Sequence, residues 1–355
     1  MKIGIIIGYL GIGGAERVAV NLANWFDGQG NNVAFFFTKP PAAKEYALPN
    51  SIKRYPCYAN SKLRIISNIR ISLRKERPDV VLIMGSPMCV YAMPALAGLR
   101  IPAVVSERSA PKNARIKKST RILADRLMKR ADAIVFQTNG AKAYFCEKIQ
   151  NRGTVIPNPL ATAGVPEPFT GEPTKRFVAM GRLVKEKNYP MLIRAFVRFH
   201  EDHPEFRLEV YGDGGERENL QQLVEKSGGA DCIQLLPARD NVLEEVRDAF
   251  AFVLSSDLEG MPNALIEAMA IGLPCISTDC PSGGPADLVE NGVNGILVPV
   301  DDDKAMAAAM QTLCENEALR KSIMAQAVHI RERLAIDVIG EKWRQVLASV
   351  IENNA

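Results

Sequence analysis

The sequence predicts an α/β protein built as two doubly wound parallel sheets, each wrapped by helices, with a helical tail. Three observations carry that prediction. Short apolar runs of strand length alternate with segments of helical period, and the alternation occurs twice. A proline-rich stretch separates the two series. The composition is that of an ordinary globular chain, 47% apolar and 24% charged in 355 residues. It excludes a disordered, collagenous or coiled-coil protein and leaves room for two cores.

The first series reads KIGIIIG (2–8), NVAFFFT (32–38), DVVLIM (79–84), PAVVS (102–106), AIVFQT (133–138) and TVIPN (154–158). These runs are continuously apolar rather than alternating, as strands covered on both faces are. Residues 80–99 are uncharged and long enough to span a membrane. Gly85-Ser86-Pro87 divides them, however, into a strand and a helix carrying Pro94, so a strand, loop, helix, strand unit is expected. The second series reads RFVAMGR (176–182), FRLEVYG (206–212), CIQLLP (232–237), AFVLSS (251–256), PCISTD (274–279) and GILVPV (295–300). Between them, residues 157–175 hold five prolines and two glycines, which no central strand or helix interior accommodates. This divides the chain into a domain over 1–165 and a second over 166–355. From about Asp301 the pattern is helical, and the end of this tail is expected to pack back on the first domain.

The net charge of +4 hides an asymmetry. Residues 1–168 hold 25 Lys and Arg against 10 Asp and Glu, a balance of +15, which leaves −11 for the remainder. A basic half of this size suits phosphate-bearing partners. Its surplus lies in residues 53–77 and 100–130, with Ile116, Ile122, Leu123, Leu127 and Met128 interleaved among the charges of the second cluster. A basic amphipathic helix there would lie on an anionic membrane surface, whereas a solvated charged face would serve no partner. Nucleic acid is disfavoured because aromatic residues are sparse. The seven cysteines form no C-x-x-C pair and only three histidines accompany them, which speaks against zinc modules and suits a reducing compartment. Met1-Lys2 opens no secretory signal, so a cytoplasmic protein attached peripherally to the inner face of the cell membrane is expected.

Three loops carry candidate chemistry. After the first strand, Gly8 through Arg17 includes Gly11, Gly13 and Gly14, which let backbone N–H groups approach a ligand at a helix start. Glu16 occupies the place of the third glycine of a dinucleotide fingerprint, and a tight turn without ligand would use the same residues. After the first strand of the second series, Arg182 and Lys187 could clamp a diphosphate, the one by its fork and the other as a point charge. The segment from Ser256 to Met269 is the strongest of the three. Glu259 falls in its loop and Glu267 in the first turns of the helix that Pro262 and Asn263 open, so both carboxylates can accept bonds from sugar hydroxyls. Glu267 could instead only complement the helix dipole. Asp301-Asp302-Asp303 contains a D-x-D but sits where a helix needs a cap. His200 and His203 flank a helix end and are read as surface residues.

Taken together, the glycine loop, the Arg-x4-Lys pair and the Glu-x7-Glu pair resemble the retaining glycosyltransferases of family 4. That family has the GT-B fold of two facing Rossmann-like domains, and the resemblance covers nearly the whole chain. It implies that Gly13 and Gly14 lie by the donor diphosphate or the acceptor, and that Arg182 and Lys187 neutralise the diphosphate leaving group. Glu259 would hold hydroxyls of the transferred sugar, Glu267 the ribose, and main-chain N–H groups at Asn263 and Ala264 the sugar and phosphate. Where relatives often carry a histidine near the reacting carbon, this chain reads Ser106-Glu107-Arg108-Ser109, which makes Glu107 and Arg108 acceptor-side candidates. Asp279 through Pro285 resembles relatives that use UDP-activated hexose or N-acetylhexosamine to build lipid-linked surface glycans, lipopolysaccharide among them. The resemblance implies a nucleotide-sugar donor, an acceptor that is a lipid-linked glycan or oligosaccharide, no cofactor and no metal. A same-fold sugar-nucleotide epimerase and a non-catalytic two-domain sugar-binding protein remain the alternatives.

Overall fold

The computed structural model describes residues 1–11, 13–108, 117–161 and 164–354. Ser109 and Ile116, named above, and Lys112 and Arg115 of the basic cluster 100–130 lie outside them. The chain divides into two compact units, one of Met1–Pro159 with Leu334–Ala355 and one of Leu160–Arg333.

In the first unit, seven parallel strands run β1 (Lys2–Ile7), β2 (Asn32–Phe37), β3 (Lys53–Pro56), β4 (Val80–Met84), β5 (Ala103–Glu107), β6 (Ala133–Phe136) and β7 (Gly153–Val155). Their order across the sheet is β3-β2-β1-β4-β5-β6-β7. The central runs are buried on both faces: Ile5, Ile6, Phe35, Phe36, Leu82 and Val104 have no solvent exposure. β3 is the strand that the apolar pattern does not disclose. Lys53, Arg54 and Pro56 read as loop, and an edge strand tolerates them because one of its sides has no neighbour. The uncharged stretch 80–99 becomes β4 and the helix Cys89–Leu96, with Pro94 inside it. Among the described residues no helix is long and apolar enough to cross a membrane.

The last helix, Ile336–Glu352, belongs to this unit. It buries Ile339, Trp343, Leu347 and Val350, and Asp337 accepts a 2.7 Å hydrogen bond from Trp25 Nε1 of the helix Gly14–Gly28.

The second unit repeats the plan with β8 (Arg176–Met180), β9 (Arg207–Tyr211), β10 (Ile233–Leu236), β11 (Ala251–Leu254), β12 (Cys275–Thr278) and β13 (Ile296–Val298), ordered β10-β9-β8-β11-β12-β13 and all parallel. Phe177 centres an aromatic core with Phe196, Phe199, Phe206 and Phe250, at ring separations of 5.2 to 6.1 Å. His200 and His203, expected at the surface, are half-buried. They stack on Phe196 and Phe199, because a histidine ring is flat and apolar enough to extend such a cluster.

In each sheet the strand order reverses beside the first strand, between β1 and β4 and between β8 and β11. Open parallel sheets bind ligands outside the carboxyl ends of their strands at such reversals. The Arg182 and Glu259 loops leave β8 and β11, the two strands at the reversal of the second unit.

Candidate functional site

The loop after β8 is fixed by its backbone. Gly181 N donates to Tyr211 O at 3.0 Å, Leu183 N to Asp213 O at 2.9 Å, and Glu216 N to Leu183 O at 3.0 Å. Arg217 holds the supporting loop by donating to the carbonyls of Gly212, Leu235 and Leu236 and to Asp213 Oδ1. Gly212 is required there, since a Cβ would lie 1.8 Å from the Gly181 carbonyl oxygen. Arg182 therefore sits between two anchored neighbours with its side chain exposed. Among the described residues its guanidinium makes no ion pair.

Lys187 closes a single 3-10 turn, and Asn188, in left-handed conformation at φ 42°, caps the following helix by accepting from Met191 N. The Lys187 ammonium lies 2.5 Å from Glu259 Oε1, and Ser256 Oγ donates to the same oxygen at 2.7 Å. Two further bonds join the loops: Ser255 Oγ to Lys187 O at 2.8 Å, and Asp257 N to Glu186 O at 2.9 Å. Sequence reasoning gives Lys187 and Glu259 separate tasks, whereas the structure pairs them.

A ring of small polar groups missed by the sequence reading holds this turn. Thr278 Oγ1 and Cys280 Sγ both donate to Ser256 O, at 2.5 and 3.0 Å, and Ser282 Oγ donates to the carbonyl of Glu259. Burial pushes the Cys280 thiol up to about 12, so it packs rather than reacts. Burial also raises the Asp257 carboxyl, against the hydrogen bond from Asn188. The signal that could have found this ring is the Ser-Thr-Asp-Cys-Pro-Ser sequence directly after an apolar strand.

The helix Asn263–Ala270 starts from Pro262. The N–H groups of Asn263 and Ala264 precede its first intrahelical bond, Ile266 N to Pro262 O, so they face the start of the helix. Glu267 lies one turn further and is only 9% exposed. A cationic loop, a carboxylate turn and a helix start thus border one edge of one sheet, which is the equipment for an anionic, hydroxylated ligand.

In the first unit, Gly13 is the extended N-terminal cap of the helix Gly14–Gly28, with Glu16 in its first turn. Glu45 Oε1 organises the preceding loop by accepting from Leu10 N and Ala42 N. Glu107 and Arg108 are neighbours in sequence at the end of β5, but alternation along the strand sends them to opposite faces. Glu107 turns toward the helix layer: after burial, its charge raises the thiol of Cys89 and the carboxyl of Asp125. Arg108 turns to the other face, where Nε donates to Ser106 Oγ at 2.6 Å and Nη1 to Asn158 Oδ1 at 2.8 Å, and the guanidinium stacks on Trp343.

Among the described residues, the basic clusters contain helices at Lys62–Glu76 and Lys118–Met128. In the second, Ile122 and Leu123 are exposed, but Met128 is in the core and Leu127 packs against it, so the outward apolar face is narrower than expected. The helix Lys62–Glu76, whose charges but not apolar residues sequence reasoning named, buries Ile65, Ile69 and Leu73 and turns Leu63 (80% exposed) and Ile71 (61%) outward among Arg64, Arg74 and Lys75.

Comparison with known proteins follows the same division. Residues 166–329 match the family model described as Glycosyl transferases group 1, and residues 12–163 that of Glycosyltransferase Family 4. An exopolysaccharide phosphotransferase of Streptomyces coelicolor is 31% identical over 281 residues, which are 76% of this chain and 29% of that protein, so the chain spans under a third of that relative. An alpha-1,4-N-acetyl-D-galactosaminyltransferase of Campylobacter jejuni, named for a GalNAc-containing acceptor on diNAcBac-PP-undecaprenol, is 26% identical across 99% of both chains. The crystal structure of HepE from Anabaena with UDP and glucose superposes with a TM-score of 0.83 over 98% of this chain and all of that one, at 18% identity. That likeness establishes a shared fold.

Proposed function

Because the chain belongs to the group 1 glycosyltransferases, with the GT-B fold, we propose that it moves a hexose or N-acetylhexosamine from a UDP-sugar to a lipid-diphosphate-linked glycan, retaining the anomeric configuration and making an α linkage. The observation that carries this reading is the meeting of Lys187 with Glu259 beside the exposed Arg182, at the carboxyl ends of β8 and β11. The printed names of the relatives support it: one solved neighbour holds UDP and glucose, and one relative is named for an undecaprenol-diphosphate acceptor.

In this reading Arg182 and Lys187 meet the donor diphosphate, and the phosphate takes over part of the charge that Glu259 now supplies to Lys187. Glu259 then accepts from hydroxyls of the transferred sugar, and Glu267 from the ribose. Asn263 and Ala264 N–H groups serve the sugar and phosphate, and Gly13 and Gly14 keep their expected role toward the diphosphate or the acceptor. The bond from the anomeric carbon to the phosphate oxygen breaks as the bond to the acceptor oxygen forms on the same face. The acceptor hydroxyl's proton passes to the departing phosphate oxygen. Side-chain cations and helix N–H groups stabilise that leaving charge without a metal ion, and removing one such donor costs about 2.7 to 4 kcal/mol of barrier. The basic helix Lys62–Glu76, with Leu63 and Ile71 at its outer pole, attaches the protein peripherally to the inner face of the membrane, where the acceptor resides.

The test is incubation of the full chain with UDP-hexoses and UDP-N-acetylhexosamines, with and without a prenyl-diphosphate-linked sugar. The expected result is an α-linked product with one UDP released per transfer, and only slow UDP release without acceptor. An epimerised nucleotide sugar as the product would overturn the reading.

A further inference from the structure

Among the described residues of the first unit, three buried N–H donors have no hydrogen-bond partner: Arg108 Nη2, Gln137 Nε2 and Trp343 Nε1. They share one face of one sheet. Ser106 pairs with Val135 and Glu107 with Phe136 across β5 and β6, so the register continued by one residue sets Arg108 opposite Gln137. Trp343 comes from the last helix and stacks on the Arg108 guanidinium, 5.3 Å from its ring centre. Gln137 is 2% exposed and Trp343 fully buried.

Such donors are expensive to leave unmade, at about 1 to 3 kcal/mol each, and a buried guanidinium needs a counter-charge. The nearest carboxylate in sequence, Glu107, points to the opposite face. Ser106 and Asn158 already receive the other Arg108 nitrogens and carry no charge. Burial holds the guanidinium below its ordinary value, and Glu107 opposes this only partly. The patch lies beyond the carboxyl ends of β5 and β6, on the same edge of the sheet as the reversal between β1 and β4.

We propose that Arg108, Gln137 and Trp343 form a binding site for a phosphoryl-class oxyanion, separate from the Arg182 and Lys187 loop. The inference deepens the proposed function and rests on it for the source: a lipid-diphosphate acceptor brings such an oxyanion to this unit, and free phosphate is the other source. Gln137 donates to the oxyanion, Arg108 supplies charge and a further donor, and Trp343 both supports the guanidinium and adds an N–H.

The test is a calorimetric titration of inorganic pyrophosphate into the full chain saturated with UDP. One saturable site is expected, weakened about tenfold or more by Gln137→Leu and by Trp343→Phe, which keeps an aromatic ring under Arg108, and unchanged by Lys187→Ala. Unaltered UDP binding and melting temperature establish that the variants fold. A geranyl diphosphate arm separates the sources: tighter binding than pyrophosphate assigns the site to the lipid-linked acceptor, and equal binding to a free anion. No saturable pyrophosphate heat, or heat unchanged in both variants, overturns the site. UDP binding without pyrophosphate binding removes this inference and leaves the donor reading intact, whereas pyrophosphate binding without UDP binding does the reverse.

Discussion

Lys187 and Glu259 are 72 residues apart in sequence, and their charged ends meet at 2.5 Å with both side chains largely out of solvent. The contact ties the loop after β8 to the loop after β11. It also means that the site's lysine carries a partner that an anionic ligand must share or displace. Arg182, on the same loop, is exposed and makes no ion pair among the described residues.

That difference separates two substitutions with the same catalytic consequence. Arg182→Ala and Lys187→Ala each lower acceptor-dependent UDP release by about 100-fold or more. Only Lys187→Ala also lowers stability, by about 2 kcal/mol, because it leaves the largely buried Glu259 carboxylate without its ammonium partner. Melting curves beside a UDP-release assay check both.

Gly284→Ala strikes the same turn through backbone alone. Its Cβ would lie 1.9 Å from the Gly260 carbonyl oxygen, so the turn carrying Glu259 must shift. The expected result is a loss of stability of about 1 to 3 kcal/mol and a loss of transfer at least as large as that of Glu259→Gln. Wild-type turnover in this variant would show that the turn's position does not matter to the reaction.

Acid sensitivity follows from Glu76. Burial alone would raise its carboxyl, but hydrogen bonds from Tyr55 at 2.5 Å and from Lys53 outweigh it and hold the group below its usual range. Its stabilisation is therefore fully present above the unfolded value of about 4.3 and is lost as pH falls through the lower folded value. Tyr55, pushed up to about 12 chiefly by its bond to Glu76, adds stability present below about pH 10 that is lost as pH rises toward 12. Urea unfolding of wild type and Glu76→Gln should show a gap at pH 7 that closes below about pH 4.

Membrane attachment is tested at the outer pole of Lys62–Glu76. Leu63→Glu with Ile71→Glu should abolish sedimentation with anionic liposomes at low salt and leave the melting temperature unchanged, since both residues are exposed. Equal sedimentation of the double variant would remove this helix from the surface.

Most of the fold was legible because strands buried on both faces print continuous Val, Ile and Phe runs, and both sheets are of that kind. β3 was not, because an edge strand needs no apolar pattern and Lys53-Arg54-Tyr55-Pro56 has none. At the site, residue types were legible and pairing was not: nothing in the spacing of Lys187 and Glu259 states that they touch. The Arg108, Gln137 and Trp343 patch was hidden further, since three segments distant in sequence meet there and only the sheet register sets Arg108 opposite Gln137. The outward Leu63 and Ile71 escaped because their helix also has a regular buried stripe at Ile65, Ile69 and Leu73, which reads as an ordinary amphipathic helix.

The proposed function requires the edge at β8 and β11 to hold a sugar nucleotide, Lys187 taking its diphosphate and Glu259 its sugar. Calorimetric titration of UDP and of UDP-sugars into wild type, Lys187→Ala and Glu259→Gln tests it most directly. Lys187→Ala should weaken UDP and UDP-sugar alike by about tenfold or more, while Glu259→Gln should weaken the UDP-sugar and leave UDP near the wild-type value. UDP and UDP-sugar affinities unchanged in both variants would contradict it.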